Sequence, residues 1–79
     1  MEYIHEYFRA VACDIHGAEM AEFGKADCIG IAVDEALDQW NGWDQLYSIR
    51  VYFVTHDLDG EPVYTVAYEE FVKPQVVLN

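Results

Sequence analysis

Positive charge is what this sequence has least of. Four Lys and Arg stand against fifteen Asp and Glu in 79 residues, for a net charge of -11 with histidine neutral. Nucleic acid and anionic membrane are polyanions, so neither is expected as a direct ligand. Long apolar runs are also missing. No stretch approaches the roughly 18 consecutive apolar residues that span a bilayer. No basic leader precedes an apolar segment, and Glu2 and Glu6 sit where such a leader would lie. Cytoplasmic residence is therefore expected, with Cys13 and Cys28 reduced and acting as small apolar residues.

Signatures of catalysis are absent as well. There is no paired CxxC, no HExxH, no glycine-rich phosphate loop and no nucleophile elbow. Glu69 and Glu70 are adjacent, so on a strand they face opposite ways and make a poor acid/base pair. "CDIH" sets Cys13 and His16 three residues apart, and Cys28 with His5 or His56 completes a zinc set only if the fold gathers them. "DLDGE" starts like a calcium loop but lacks the distal glutamate, and a turn is the stronger reading. No enzymatic activity, cofactor or metal is expected.

What the chain does have is apolar and aromatic content. Hydrophobic residues make up 53%, with six Tyr, four Phe and two Trp. A disordered acidic chain is poor in such residues, so residues 1–79 read as a single folded acidic domain.

Periodicity predicts its elements. Ile4, Phe8, Val11 and Ile15, with Tyr7 beside them, fall on one helical face, predicting a helix over 2–16 ended by Gly17. Residues 18–24 fit a short helix or a loop carrying Phe23 inward. Asp27 to Gln39 or Trp40 reads as a further helix, with Asp27 as N-cap and Ile29, Val33, Ala36, Leu37 and Trp40 as the buried stripe. Residues 47–55 alternate as a strand, "DLDG" at 57–60 turns the chain, and 61–72 return. On the returning strand Tyr64, Val66, Tyr68 and Val72 share one side, and Tyr52, Tyr64 and Tyr68 together suggest an aromatic sheet face. Gln75 to Leu78 fit a short third strand. The expected fold class is α+β: two or three helices packed on a small antiparallel hairpin or three-stranded sheet. So small a core with open sheet edges suggests a symmetric homodimer joining sheets or helices.

The most concentrated feature is "AVDEALDQWNGWDQ", with four carboxylates and two indoles. At 100° per residue Asp27, Asp34 and Asp38 lie within about 40° of one another, opposite Ile29, Val33 and Trp40. Helical rise sets Asp34 about 6 Å from Asp38, and Asp27 about 10 Å before Asp34. Such a track can stand in for a phosphate backbone. The candidate partner-binding residues are Asp27, Asp34, Glu35, Asp38, Trp43 and Asp44. Trp43 follows the Asn-Gly break, where it either closes the core or anchors an interface.

In size, charge and aromatic content the chain resembles phage-encoded counter-defence proteins, namely the anti-CRISPR proteins and the DNA-mimicking anti-restriction proteins. The resemblance covers the whole chain loosely and rests on no shared motif. It implies an inhibitor whose partner is a basic, nucleic-acid-handling protein, such as a subunit of a CRISPR surveillance complex, with DNA or RNA kept from its site. The alternatives are an immunity protein or antitoxin that neutralises a basic toxin enzyme, and a structural dimeric subunit whose charge serves solubility.

Overall fold

A computed structural model describes residues 6–72. The chain runs β1 (Tyr7–Cys13), β2 (Glu19–Ala26), α1 (Ile29–Gln39), β3 (Ser48–His56) and β4 (Pro62–Phe71). The four strands form one antiparallel sheet in the order β2-β1-β3-β4. Two hairpins, β1-β2 and β3-β4, thus lie side by side, and α1 carries the chain from one to the other. This overturns the expected two or three helices on a hairpin or three-stranded sheet: the described chain is mostly sheet, with one short helix.

The largest departure is at the N-terminal end, where the described part of the predicted 2–16 helix is strand β1 followed by the turn that begins at Asp14. β1 is central, paired to β2 on one side and β3 on the other. Ala10 and Ala12 point to the helix side and join its core, while Tyr7, Val11 and Cys13 point to the other side and are also buried. A strand buried on both faces loses the polar alternation that advertises a strand. Its apolar run then matches a helical template equally well. Residues 18–24, read as a short helix or loop, belong to edge strand β2, with bulge-type register shifts against β1. The expected strand at 75–78 lies outside the described residues.

The predicted second helix forms, but later than its proposed cap. Cys28 is the N-cap, with extended backbone (φ -149°, ψ 164°) and no side-chain cap bond. Asp27 therefore precedes the helix and does not cap it. Ala32, Val33 and Ala36 are buried beneath it, and Ile29 and Trp40 pack partly against the core. Leu37, expected in the buried stripe, is exposed.

Alanine sets the spacing between helix and sheet. Ala10 and Ala12 on β1 meet Ala32 and Ala36 on α1, with Ile49 and Val51 of β3 alongside. Small side chains on both layers let the helix sit low, and close packing of this kind is what a core of limited size needs. α1 lies mainly over β1, β2 and β3 and leaves β4 largely uncovered. Among the described residues no helix is long and apolar enough to cross a membrane.

Candidate protein-binding surface

The sheet divides the molecule electrically. Between Ala26 and Ile49 the sequence holds no Lys, Arg or His, yet carries Asp27, Asp34, Glu35, Asp38 and Asp44. That stretch is α1 with its flanking turns, and all five carboxylates are exposed. The Lys and Arg of the described residues are Arg9, Lys25 and Arg50. Arg9 alternates with Phe8 and Ala10, and Arg50 with Ile49 and Val51, so both project from the face opposite α1. Lys25 lies over the Tyr7 ring on that same face, its Nζ 4.9 Å from the centroid.

On that opposite face the charges are engaged with one another. Arg9 Nη1 meets Glu22 Oε2 at 3.2 Å. Arg50 spans two strands, reaching Glu19 on β2 at 3.4 Å and Glu69 on β4 at 3.6 Å. The Ser48 hydroxyl donates to Glu69 at 2.7 Å, and the Tyr52 hydroxyl donates to Glu19. The bond to Glu19 favours the neutral phenol and raises the Tyr52 pKa. Burial raises the pKa of the Cys13 thiol beneath this network. A cleft of about 230 Å³ lies here between Arg9, Val11, Glu19, Glu22, Tyr52 and Tyr64. Because acid and base alternate around it, the face as a whole presents little net field.

Among the described residues no Lys or Arg pairs with Asp34, Glu35 or Asp38 on the helix. At 100° per residue Asp34 and Asp38 lie about 40° apart on the side away from Val33 and Ala36, with Glu35 about 60° beyond Asp38. Asp27 does not share this face as a helical residue, because the extended Cys28 separates it from α1. The expected three-acid track is thus two aspartates, Asp34 and Asp38, flanked by Glu35, with Asp27 near the start of the helix. These charges sit badly for stability. Asp38 lies in the last turn, where the helix dipole disfavours a carboxylate, and no basic residue in that turn offsets it. Asp34 and Asp38 also repel at i, i+4.

The C-terminal end of α1 adds an apolar element. Trp40 stacks between Phe23 (centroids 6.3 Å apart, edge-on) and Trp43 (6.4 Å apart). Leu37, Trp40, Asn41, Trp43, Asp44 and Val72 line a cleft of about 310 Å³. Gly42, with φ 81°, turns the chain so that the two indoles meet. Trp43 is half-buried: it packs against the core and also lines the cleft. The structure therefore brings Trp43 and Asp44 together and sets Asp34, Glu35 and Asp38 on the helix that leads to them. Leu37 and Trp40, assigned by periodicity to the core alone, are further lining residues. Their signal was present in the sequence, since an apolar stripe wider than a narrow sheet can cover must surface somewhere.

The aromatic sheet face is split. Tyr52 and Tyr64 meet edge-on at 6.0 Å. A register shift in β4 pairs Tyr68 with Val51 but Val66 with Tyr52, leaving Ala67 unmatched. Tyr68 therefore turns to the helix side and donates to Glu70 there. Cys13, His16 and Cys28 do not converge, and among the described residues no three metal-ligating side chains form a cluster. Comparison of the chain with protein-family models, with curated proteins and with solved structures finds no match.

Proposed function

We propose that this chain is a small acidic inhibitor that binds a basic, nucleic-acid-handling protein and occupies its DNA or RNA site. The observation that carries this reading is the segregation of charge. Five exposed carboxylates occupy a stretch of 24 residues with no cation, while the described Lys and Arg lie on the other side of the sheet. Such a surface attracts and orients a cationic groove. The placement of Asp34 and Asp38 costs helix stability, which solubility alone does not require. The indole cleft beside them supplies the kind of apolar anchor that dominates interface energetics. A CRISPR surveillance subunit fits this description of a target.

The test is capture from host lysate followed by competition. The expected result is retention of a nuclease-complex subunit, with labelled DNA displaced from it as the acidic chain is added. Binding should also weaken steeply as salt rises. Capture of a single toxin enzyme whose activity is blocked would instead assign an immunity protein. A target that keeps its DNA while bound to the chain overturns the proposal.

A further inference from the structure

Among the described residues β4 is an edge strand of ten residues, hydrogen-bonded to β3 on one side only. The middle of its other edge, among the described residues, has little of the usual protection. Residues 62–68, Pro-Val-Tyr-Thr-Val-Ala-Tyr, contain no charge in a chain of net charge -11. Val63, Tyr64, Val66, Tyr68 and Phe71 are each between 42% and 56% exposed. Natural edge strands are usually short, charged, bulged or covered, because an open apolar edge pairs with whatever strand it meets. Among the described residues the devices present are the Ala67 register shift, Pro62 at the first position and Glu69 and Glu70 near the end, which leave Val63 to Val66 unguarded.

We infer that the β4 edge is the interface of a symmetric homodimer, in which two copies pair β4 to β4 antiparallel and extend the sheet to eight strands. Charge selects this occupant and this direction. A basic partner is drawn to the carboxylates of α1, not to an uncharged strand, whereas two acidic copies can approach only where neither carries charge. Parallel pairing would align Glu69 and Glu70 with their own copies. Antiparallel pairing centred on Val66 sets them against Val63 and Pro62 of the second chain. The available area suits the purpose. Three half-exposed rings offer roughly 300 Å², and two valines and the edge backbone bring this toward the roughly 600 Å² per partner of the smaller specific interfaces. Because α1 leaves β4 largely uncovered, pairing there leaves the acidic helix free in both copies.

Sedimentation of the full chain tests this at concentrations from about 1 to 100 μM, the range of a micromolar dimer. The expected mass is twice 9.1 kDa, and the dimer should tighten as salt rises, because screening relieves repulsion between two acidic chains. That salt response is opposite in sign to the one expected of an ionic partner, so the two proposals fail independently. Val66→Lys should give a monomer that melts like the unmutated chain at dilutions where that chain is itself monomeric, and that loses the rise in melting temperature with concentration, whereas Asp34→Lys should remain dimeric. Hydrogen exchange on the unmutated chain should show β4 amides gaining protection with concentration, which keeps the test decisive if the lysine variant does not fold. A monomer throughout the range, or a dimer whose β4 amides gain no protection, overturns the inference.

Discussion

Asp14 and Asp57 hold the same place in two different hairpins. Asp14 Oδ1 accepts the backbone N–H groups of His16 and Ala18, each at 2.9 Å. Asp57 Oδ1 accepts those of Asp59 and Glu61, at 2.9 and 3.0 Å. In both turns the third residue after the aspartate is a glycine, which donates to the aspartate carbonyl at 3.0 Å. Gly17 and Gly60 take φ values of 82° and 85°, where a side chain would be strained. One turn design thus closes both β1-β2 and β3-β4.

Removing either carboxylate should therefore cost a similar amount. Asp14→Ala and Asp57→Ala each remove the acceptor of two exposed turn N–H groups, and each should lower stability by about 1 kcal/mol, the net worth of such bonds. Asparagine keeps the acceptor and the same local turn preference, so Asp57→Asn should recover most of the loss. Urea midpoints of the three variants check this. A destabilisation confined to one hairpin would show that the two turns are not equivalent.

That pair also shows what the sequence disclosed and what it hid. "DLDGE" is legible as a turn because alternating residues flank it on both sides. "DIHGA" has the same spacing, but its glycine also fits the end of a helix, because Ile4, Phe8, Val11 and Ile15 match a helical stripe. Burial on both faces of β1 erased the alternation that would have overruled that stripe. The signal that remains for the first hairpin is the likeness of the two motifs to each other, Asp and Gly at the same spacing. α1 was legible because Val33 and Ala36 face a core while Asp34 and Asp38 do not. Its first residue was not, since Asp27 fits the chemistry of a cap while the backbone places the cap at Cys28. The division of Tyr64 from Tyr68 depends on a register shift that periodicity cannot see. The segregation of cations could be read only in part: their absence from 26–49 is in the sequence, but their common face needed the strand order.

Thiol chemistry offers a direct check on β1. Cys28 is exposed and Cys13 is fully buried, with its thiol held protonated by burial. Thiolate is the reactive form, so Cys13 is shielded both sterically and chemically. At mildly alkaline pH an aromatic disulfide reagent should label Cys28 within the mixing time and Cys13 only after denaturant is added. Rapid labelling of both in the native chain would mean that Cys13 does not lie in a central strand.

The Tyr52–Glu19 contact ties β3 to β2 across β1 and predicts a response to alkali. The folded pKa of Tyr52 is raised above 10.0, chiefly by its hydrogen bond to Glu19. A raised pKa means the native state holds the proton more tightly than the unfolded chain. The contribution to stability is therefore complete below the unfolded value and disappears as pH climbs through the folded one. The buried Cys13 thiol, raised above 9.0, acts with the same sign. Melting temperature should fall as pH passes about 9 to 11. Tyr52→Phe should be less stable at neutral pH and show a shallower alkaline decline. An unchanged alkaline profile in that variant would remove Tyr52 from the account.

The acidic helix yields the prediction that separates function from fold. Asp34→Lys with Asp38→Lys exchanges one like-charged i, i+4 pair for another, puts a cation in the last turn, where the helix dipole favours it, and sets that cation three residues from Glu35 as an opposite-charge pair. Together these should leave the chain as stable as before, or more stable by about 0.5–1 kcal/mol. If the helix face is the binding surface, the same pair of changes should abolish inhibition, because each replaces attraction to a cationic groove with repulsion. Trp40→Ala provides the contrast. Its ring packs between Phe23 and Trp43 and against the core, so its loss should lower stability by about 2 kcal/mol or more and disturb the adjoining cleft. Trp43→Ala, nearer the surface, should weaken binding by more than it lowers the melting temperature. A thermal melt and a competition assay against DNA on the same variants decide the matter. A double-lysine variant that melts normally and inhibits at full strength would assign the carboxylates to solvent and shift attention to the indole cleft, where Trp43→Ala then becomes the deciding variant.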